Sequence, residues 1–145
     1  MRTKEFLGRL DNGRIVQAIG EAEARTSGEI RVYLERGFLE EDPVLAAQRS
    51  FQKLGMEKTR GRNAVLIFIA PRAQKFAVIG DEGVHQKCGA EFWQTLVDAM
   101  RDHFQKENFT EALVKAIGDT GQLLARYFPR TPDDRDELPN TVLEN

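Results

Sequence analysis

The sequence predicts an α/β protein, a three-layer α/β/α sandwich around a small mixed β-sheet, on three observations. First, two short apolar runs, Ala64 to Ala70 and Lys75 to Gly80, are rich in Val, Ile and Phe and too short for ordinary helices. The residues between them, Pro71 to Gln74, cannot hold a crossover, so the runs pair antiparallel as a hairpin. Second, a strand, helix, strand order from Glu29 to Ala70 implies a right-handed crossover between two parallel strands. Third, amphipathic segments on either side supply helices for a sheet that is apolar on both faces.

Taken in order, Asp11 is a good N-cap, after which Ile15, Ile19 and Ala22 recur at helical spacing up to Arg25. Thr26-Ser27-Gly28 breaks that helix, and Glu29 to Glu35 alternates polar and apolar as the first strand. Asp42-Pro43 starts a second helix, with Val44, Ala47, Phe51 and Leu54 as its stripe and Gly55 as its stop. After the hairpin, Trp93, Leu96, Val97, Met100 and Phe104 mark one face of a third helix, and Trp93 reads as core. Asn108 and Glu111 have the spacing of a capping box that opens a last helix, which runs through Leu113, Ile117 and Leu124 to Tyr127. Residues 1–129 therefore form one domain. Residues 130–145 read as an acidic, proline-containing flexible tail, a plain solvated terminus, with a partner-binding segment anchored by Leu138 and Val142 as the alternative.

The chain's 145 residues, 41% hydrophobic and 30% charged, suit one ordinary globule. The net charge of −2 conceals an acidic end: beyond Pro129, two arginines face five carboxylates, which leaves the body near +1. A near-neutral body gives no electrostatic case for nucleic acid or an anionic membrane. Cys88 is the single cysteine, which excludes an intramolecular disulfide and a cysteine-rich zinc site. The first residues lack the apolar run of a signal peptide, and nowhere do about 18 apolar residues follow one another. The expectation is a monomeric, cytoplasmic protein without membrane insertion.

Familiar catalytic patterns are absent. There is no phosphate-binding glycine loop, no nucleophile elbow and no histidine pair at metal spacing; His85 and His103 are far apart in sequence. Cysteine phosphatase chemistry needs an arginine six residues after the nucleophile, whereas Gln94 stands there after Cys88.

One constellation follows from topology. A hairpin reverses the third strand relative to the first two, so its end lies at the sheet edge where the first strand starts. Asp81 and Glu82 are thereby expected to approach Glu29, with Asn63 and the glycines at 28, 61, 80 and 83 at the same edge. Carboxylates and backbone carbonyls on flexible turns suit a hard cation, Ca²⁺ or alternatively Mg²⁺, at the weak end of the calcium range. The opposite edge holds Glu35, Arg36 and Arg72, where two arginines could take an anion.

Three stretches resemble a known family in order and spacing: RTSGEIRVYLE (Arg25 to Glu35), LGMEKTRGRNAVLIFIAPRAQKFAVIGDEGVHQKCGAEFW (Leu54 to Trp93) and HFQKENFTEALVKAIGDTGQLLARYFP (His103 to Pro129). They are similar to the TPM domain, a name that joins a thylakoid lumen protein, a photosystem II repair factor, a modulator of acetylcholine receptors and many bacterial proteins. The likeness covers about residues 5 to 129, and Asp136 to Pro139 looks like the tail of bacterial single-domain members. The resemblance implies an α/β/α sandwich, divalent-cation binding, particularly calcium, in some members, and an acid-phosphatase label for the plant branch. Many relatives carry an acid and then Asn-Gly before the second strand; this chain has Arg62-Asn63-Ala64. Exchanging a carboxylate for Arg62 weakens both metal binding and phosphatase chemistry. The expectation is a noncatalytic module for a divalent cation or a protein partner, with a weak metal-dependent acid phosphatase as the alternative. Phosphoryl transfer needs a nucleophile or an oriented water, and the sequence names none.

Overall fold

The strands form where the sequence places them. β1 (Glu29–Leu34) lies parallel to β2 (Ala64–Ala70), with Glu29 opposite Ala64 and Leu34 opposite Ile69. β3 (Lys75–Gly80) returns antiparallel to β2, with Lys75 opposite Ala70 and Gly80 opposite Val65. The computed structural model describes residues 1–130 and 142–144 and adds a fourth strand, β4 (Leu143–Glu144), parallel to the end of β1. The sheet order is β3-β2-β1-β4.

Among the described residues six α-helices accompany it: α1 (Thr3–Gly8), α2 (Asn12–Glu23), α3 (Pro43–Lys53), α4 (Glu82–Lys87), α5 (Ala90–Gln105) and α6 (Phe109–Tyr127). Every residue of β2 is buried, as a central strand covered on both faces must be. Alternation divides the strands between two cores. Ile30, Val32 and Leu34 of β1 join Val65, Ile67 and Ile69 of β2 and the apolar faces of α2, α5 and α6. Tyr33, Leu66 and Phe68 join Ala47 and Phe51 of α3. Each fully buried aliphatic or aromatic side chain contributes about 1.5–3 kcal/mol, so these two cores hold the layers together. The three-layer α/β/α sandwich is the fold, and no helix among the described residues is long and apolar enough to cross a membrane.

The sequence reading missed α1 and α4, which at six residues each are too short to show a stripe. Their anchors are tertiary: Phe6 packs 4.9 Å from the ring of Phe109, and Val84 is wholly buried. The expected capping box does not form. Asn108 makes no side-chain cap bond, and Glu111 turns instead to Arg14 of α2, 2.5 Å away. Leu138 and most of the acidic tail lie outside the described residues. The described end does pack, with Val142 against one core and Leu143 against the other.

The two edges of the sheet are treated differently. Glu35 N–H donates to Ile69 O, so Ile30, Val32 and Leu34 turn their backbone groups outward from β1. That edge is closed. Glu23 Oε2 accepts the Ile30 N–H at 2.9 Å, β4 pairs beside Leu34, and Thr26 bridges Pro129. Arg130 adds a bond from Nη1 to Glu23 O at 2.9 Å, and Ser27 N–H donates to Phe128 O. At the other edge, Asp81 N–H donates to Ala64 O at 2.9 Å, so the alternate residues Phe76, Val78 and Gly80 point their N–H and C=O groups away from β2. No described residue bonds to them.

Candidate functional site

The turn before β2 and the start of α4 bring part of the expected constellation together. Asp81 is the N-cap of α4, and its Oδ1 accepts the Glu82 N–H at 2.8 Å. It is not a free strand-end carboxylate. Arg62, held in the left-handed region at φ 50°, donates from Nε to Asp81 Oδ2 at 2.7 Å and from Nη2 to Oδ1 at 2.9 Å. Its Nη1 also lies 3.5 Å from Glu82. This fork on two oxygens is the strong geometry for an arginine and a carboxylate. Both carboxylates, and the Asp81 hydrogen bond above all, raise the pKa of Arg62, so it stays cationic. Gly83 lets the helix sit on this turn: its N–H donates to Arg62 O at 2.8 Å, and a Cβ there would stand 2.5 Å from Gly61 O.

Glu29 and Asn63 lie at the same edge but face elsewhere. Glu29 and Asp81 flank Ala64 on opposite sides, so their backbones are two strand spacings apart, ~10 Å. Glu29 is buried and acts electrostatically on Arg31, whose pKa burial lowers while Glu29 and Glu23 oppose the fall. Asn63 is buried; its Nδ2 donates to Ser27 Oγ at 3.2 Å, and its Oδ1 has no hydrogen-bond partner. Among the described residues, no group of three His, Cys, Asp or Glu side chains is placed to hold a metal ion. The turn therefore brings Asp81 and Glu82 together around an arginine, with Glu29 and Asn63 turned to other partners.

At the opposite end of the strands, Arg36 Nη2 pairs with Glu144 of β4 at 2.9 Å, so its charge is met from within the chain. Arg72 lies in the short 3₁₀ turn between β2 and β3 and is exposed. Cys88 is half-buried, and burial raises the pKa of its thiol, the reverse of what a nucleophilic cysteine needs.

Sequence reasoning missed a groove that runs over the open edge of the sheet. It encloses about 1110 Å³ between α3 and α5, with Val78, Ile79 and Gly80 of β3 as its floor. Val44 and Phe51 of α3 form one wall, and Trp93 and Val97 of α5 form the other. Glu57, Asp81 and Glu82 meet Arg62 at the end near Gly80, three carboxylates against one guanidinium. Trp93 packs on the core as predicted, yet it is only half-buried and also lines this groove. The signal available in the sequence was Val44, which the stripe counts as core at the first turn of α3 and the structure leaves 43% exposed.

Fold and site together define a small α/β/α domain with an apolar groove beside an unpaired edge strand and no assembled catalytic group among the described residues. The family model of the TPM domain matches residues 2–123, and the chain belongs to that family. No curated protein matches it. Among solved structures, BA42 from the psychrophilic bacterium Bizionia argentinensis is similar at 39% identity, with a TM-score of 0.85, over 100% of this chain and 96% of that one. The N-terminal domain of cg2496 from Corynebacterium glutamicum shares the fold at 16% identity, with a TM-score of 0.59, over 92% of this chain and 77% of that one.

Proposed function

We propose that this chain is a noncatalytic TPM-type binding module that takes a segment of a protein partner into the groove between α3 and α5. The observation that carries the reading is the groove itself, a partly apolar recess beside the unpaired edge of β3. Val44, on its α3 wall, is 43% exposed. This reading is preferred to a weak acid phosphatase because the hydroxyls near the acidic turn are already engaged. Ser27 Oγ accepts from Asn63, Thr26 Oγ1 donates to Phe128 O, and Thr59 Oγ1 accepts from Asn63 N–H. None has a base beside it.

A weak divalent cation, Ca²⁺ before Mg²⁺, is a second reading at Asp81 and Glu82, favoured by these two adjacent carboxylates at the start of α4, with the Glu82 side chain 63% exposed. Such an ion has to compete with Arg62 for both oxygens of Asp81.

The partner reading is tested by selecting displayed random peptides on the full chain and following the fluorescence of Trp93, the single tryptophan. Selected peptides are expected to shift the emission and to lose binding to Val44→Glu, a change at an exposed wall position. Peptides that bind Val44→Glu as well as the parent, or a selection that yields no binder, would overturn it.

A further inference from the structure

We propose that the groove's occupant binds by strand addition: an extended apolar segment flanked by a basic residue pairs with the free edge of β3 through Phe76, Val78 and Gly80. This rests on the partner-binding reading above and specifies the chemistry of the partner.

Four observations lead to it. The register leaves the N–H and C=O groups of Phe76, Val78 and Gly80 directed outward, and none is bonded by a described residue. An open ladder of this kind is a template for one more strand. The other edge of the same sheet is closed by a carboxylate, a short strand and a bridge, so openness is specific to β3. The edge is also recessed between two helices, with Phe51 on one side and Trp93 on the other. A recess of this shape admits a single extended chain and excludes the edge of a second sheet, because the flanking helices of another copy would collide with these. The occupant is accordingly a peptide segment and not a second copy of this domain.

The walls set the side chains. Successive residues of an added strand alternate between the α3 side, where Val44 and Phe51 stand among Gln48 and Gln52, and the α5 side, where Trp93 and Val97 flank Gln94, so each side offers an apolar seat to a consecutive apolar residue. Charge sets the end. Near Gly80, Arg62 offsets one of the three carboxylates Glu57, Asp81 and Glu82, leaving a net negative rim. The side chain of Glu82 is 63% exposed at that rim. A lysine or arginine on the segment as it passes Gly80 meets that surplus.

The probe is a synthetic acetylated and amidated peptide, Lys-Val-Ile-Val-Thr-Val-Lys, titrated into the full chain. Amide protection against hydrogen exchange is expected to rise at Val78 and Gly80, while Ala77 and Ile79, already bonded to β2, stay unchanged. Methylating the peptide nitrogens of one alternate set should abolish binding, whereas methylating the other set should spare it. Replacing both lysines by alanine should weaken binding by up to roughly fivefold, the ceiling for one exposed ion pair. Binding that shifts Trp93 emission but leaves the Val78 and Gly80 amides unprotected, or tolerates methylation of either set, overturns strand addition and leaves the partner reading standing. No binding of the lysine peptide at millimolar concentration also overturns strand addition, while the partner reading falls only if the displayed peptides fail as well.

Discussion

Gly121 of α6 and Ala22 of α2 meet where the two helices cross, and the substitution Gly121→Ala sets two effects against each other. A Cβ at Gly121 would stand 2.6 Å from the Ala22 Cβ and 3.1 Å from its Cα. Both are fixed to backbone, so no rotamer change can relieve the clash. Carbon atoms prefer about 3.5–4.0 Å, so the helices must separate by roughly 1 Å, and such a gap forfeits a quarter to a half of each dispersion contact across it. Overpacking of this kind costs about 1–3 kcal/mol. Against it, alanine is favoured over glycine in a helix by about 1 kcal/mol. The clash falls on the face that buries Ile15, Ile19, Leu113 and Ile117, so the cost sits toward the upper end and the net loss is about 1–2 kcal/mol. For a chain of this size that lowers Tm by roughly 3–8 °C. Calorimetry on the parent and the variant reads the shift, and adding Ala22→Gly to Gly121→Ala should recover more than the sum of the single changes allows. A variant that melts at or above the parent, or additive changes in the pair, would refute the claim that this contact limits the helix separation.

Three further outcomes are expected. Arg62→Ala releases the Asp81 and Glu82 carboxylates, so calcium titration should shift the Gly80 to Gly83 amides at ~10⁻⁴ to 10⁻³ M; an unresponsive variant would remove the cation reading. A chain ended after Arg130 loses, among the described residues, the two-residue pairing of β4, the Arg36–Glu144 ion pair and the partial burial of Val142 and Leu143, so it should stay folded with Tm lower by a few degrees, about 2–4 °C per kcal/mol, as a thermal melt by circular dichroism would show. Hydrogen bonds from Arg14 and Arg49 depress the pKa values of Glu111 and Glu41. A depressed folded pKa means stability that is present above the unfolded carboxylate value of about 4.3 and lost as pH falls below it. Arg14→Ala should therefore flatten the acid limb of Tm against pH, and an unchanged limb would show that the pair contributes nothing.

The hairpin was legible because its two strands are short, apolar and punctuated by Pro71 and Gly80, and alternation placed β1 beside it. The site was legible only in part. Sequence order correctly brought Asp81 and Glu82 to the edge where β1 begins, but not the left-handed turn at Arg62 or the cap that aims Asp81 at its own helix. Both depend on Gly83 approaching the backbone of Gly61, a contact between segments more than twenty residues apart. The departure at Arg62 was visible as a lost acid, and the structure gives its consequence as a gained ion pair. The groove was illegible for a different reason. Val44, Phe51, Trp93 and Val97 sit on ordinary helix stripes, and nothing in their spacing marks Val44 and Trp93 as the ones left partly open beside the edge of β3.

The stitching of Thr26, Ser27 and Glu23 to Phe128, Pro129 and Arg130 bears on how the chain is made. A ribosome delivers the parallel pair of β1 and β2 long before α6, the helix against which α2 closes. At about 5–20 residues per second, the stretch from Ala70 to Tyr127 takes roughly 3–11 s to emerge. For that interval the strand face bearing Ile30, Val32, Val65 and Ile67 lacks part of its cover. The nascent chain is thus sticky until nearly its last turn of helix appears, which makes the emerging polypeptide, more than the finished fold, the form that most needs a chaperone.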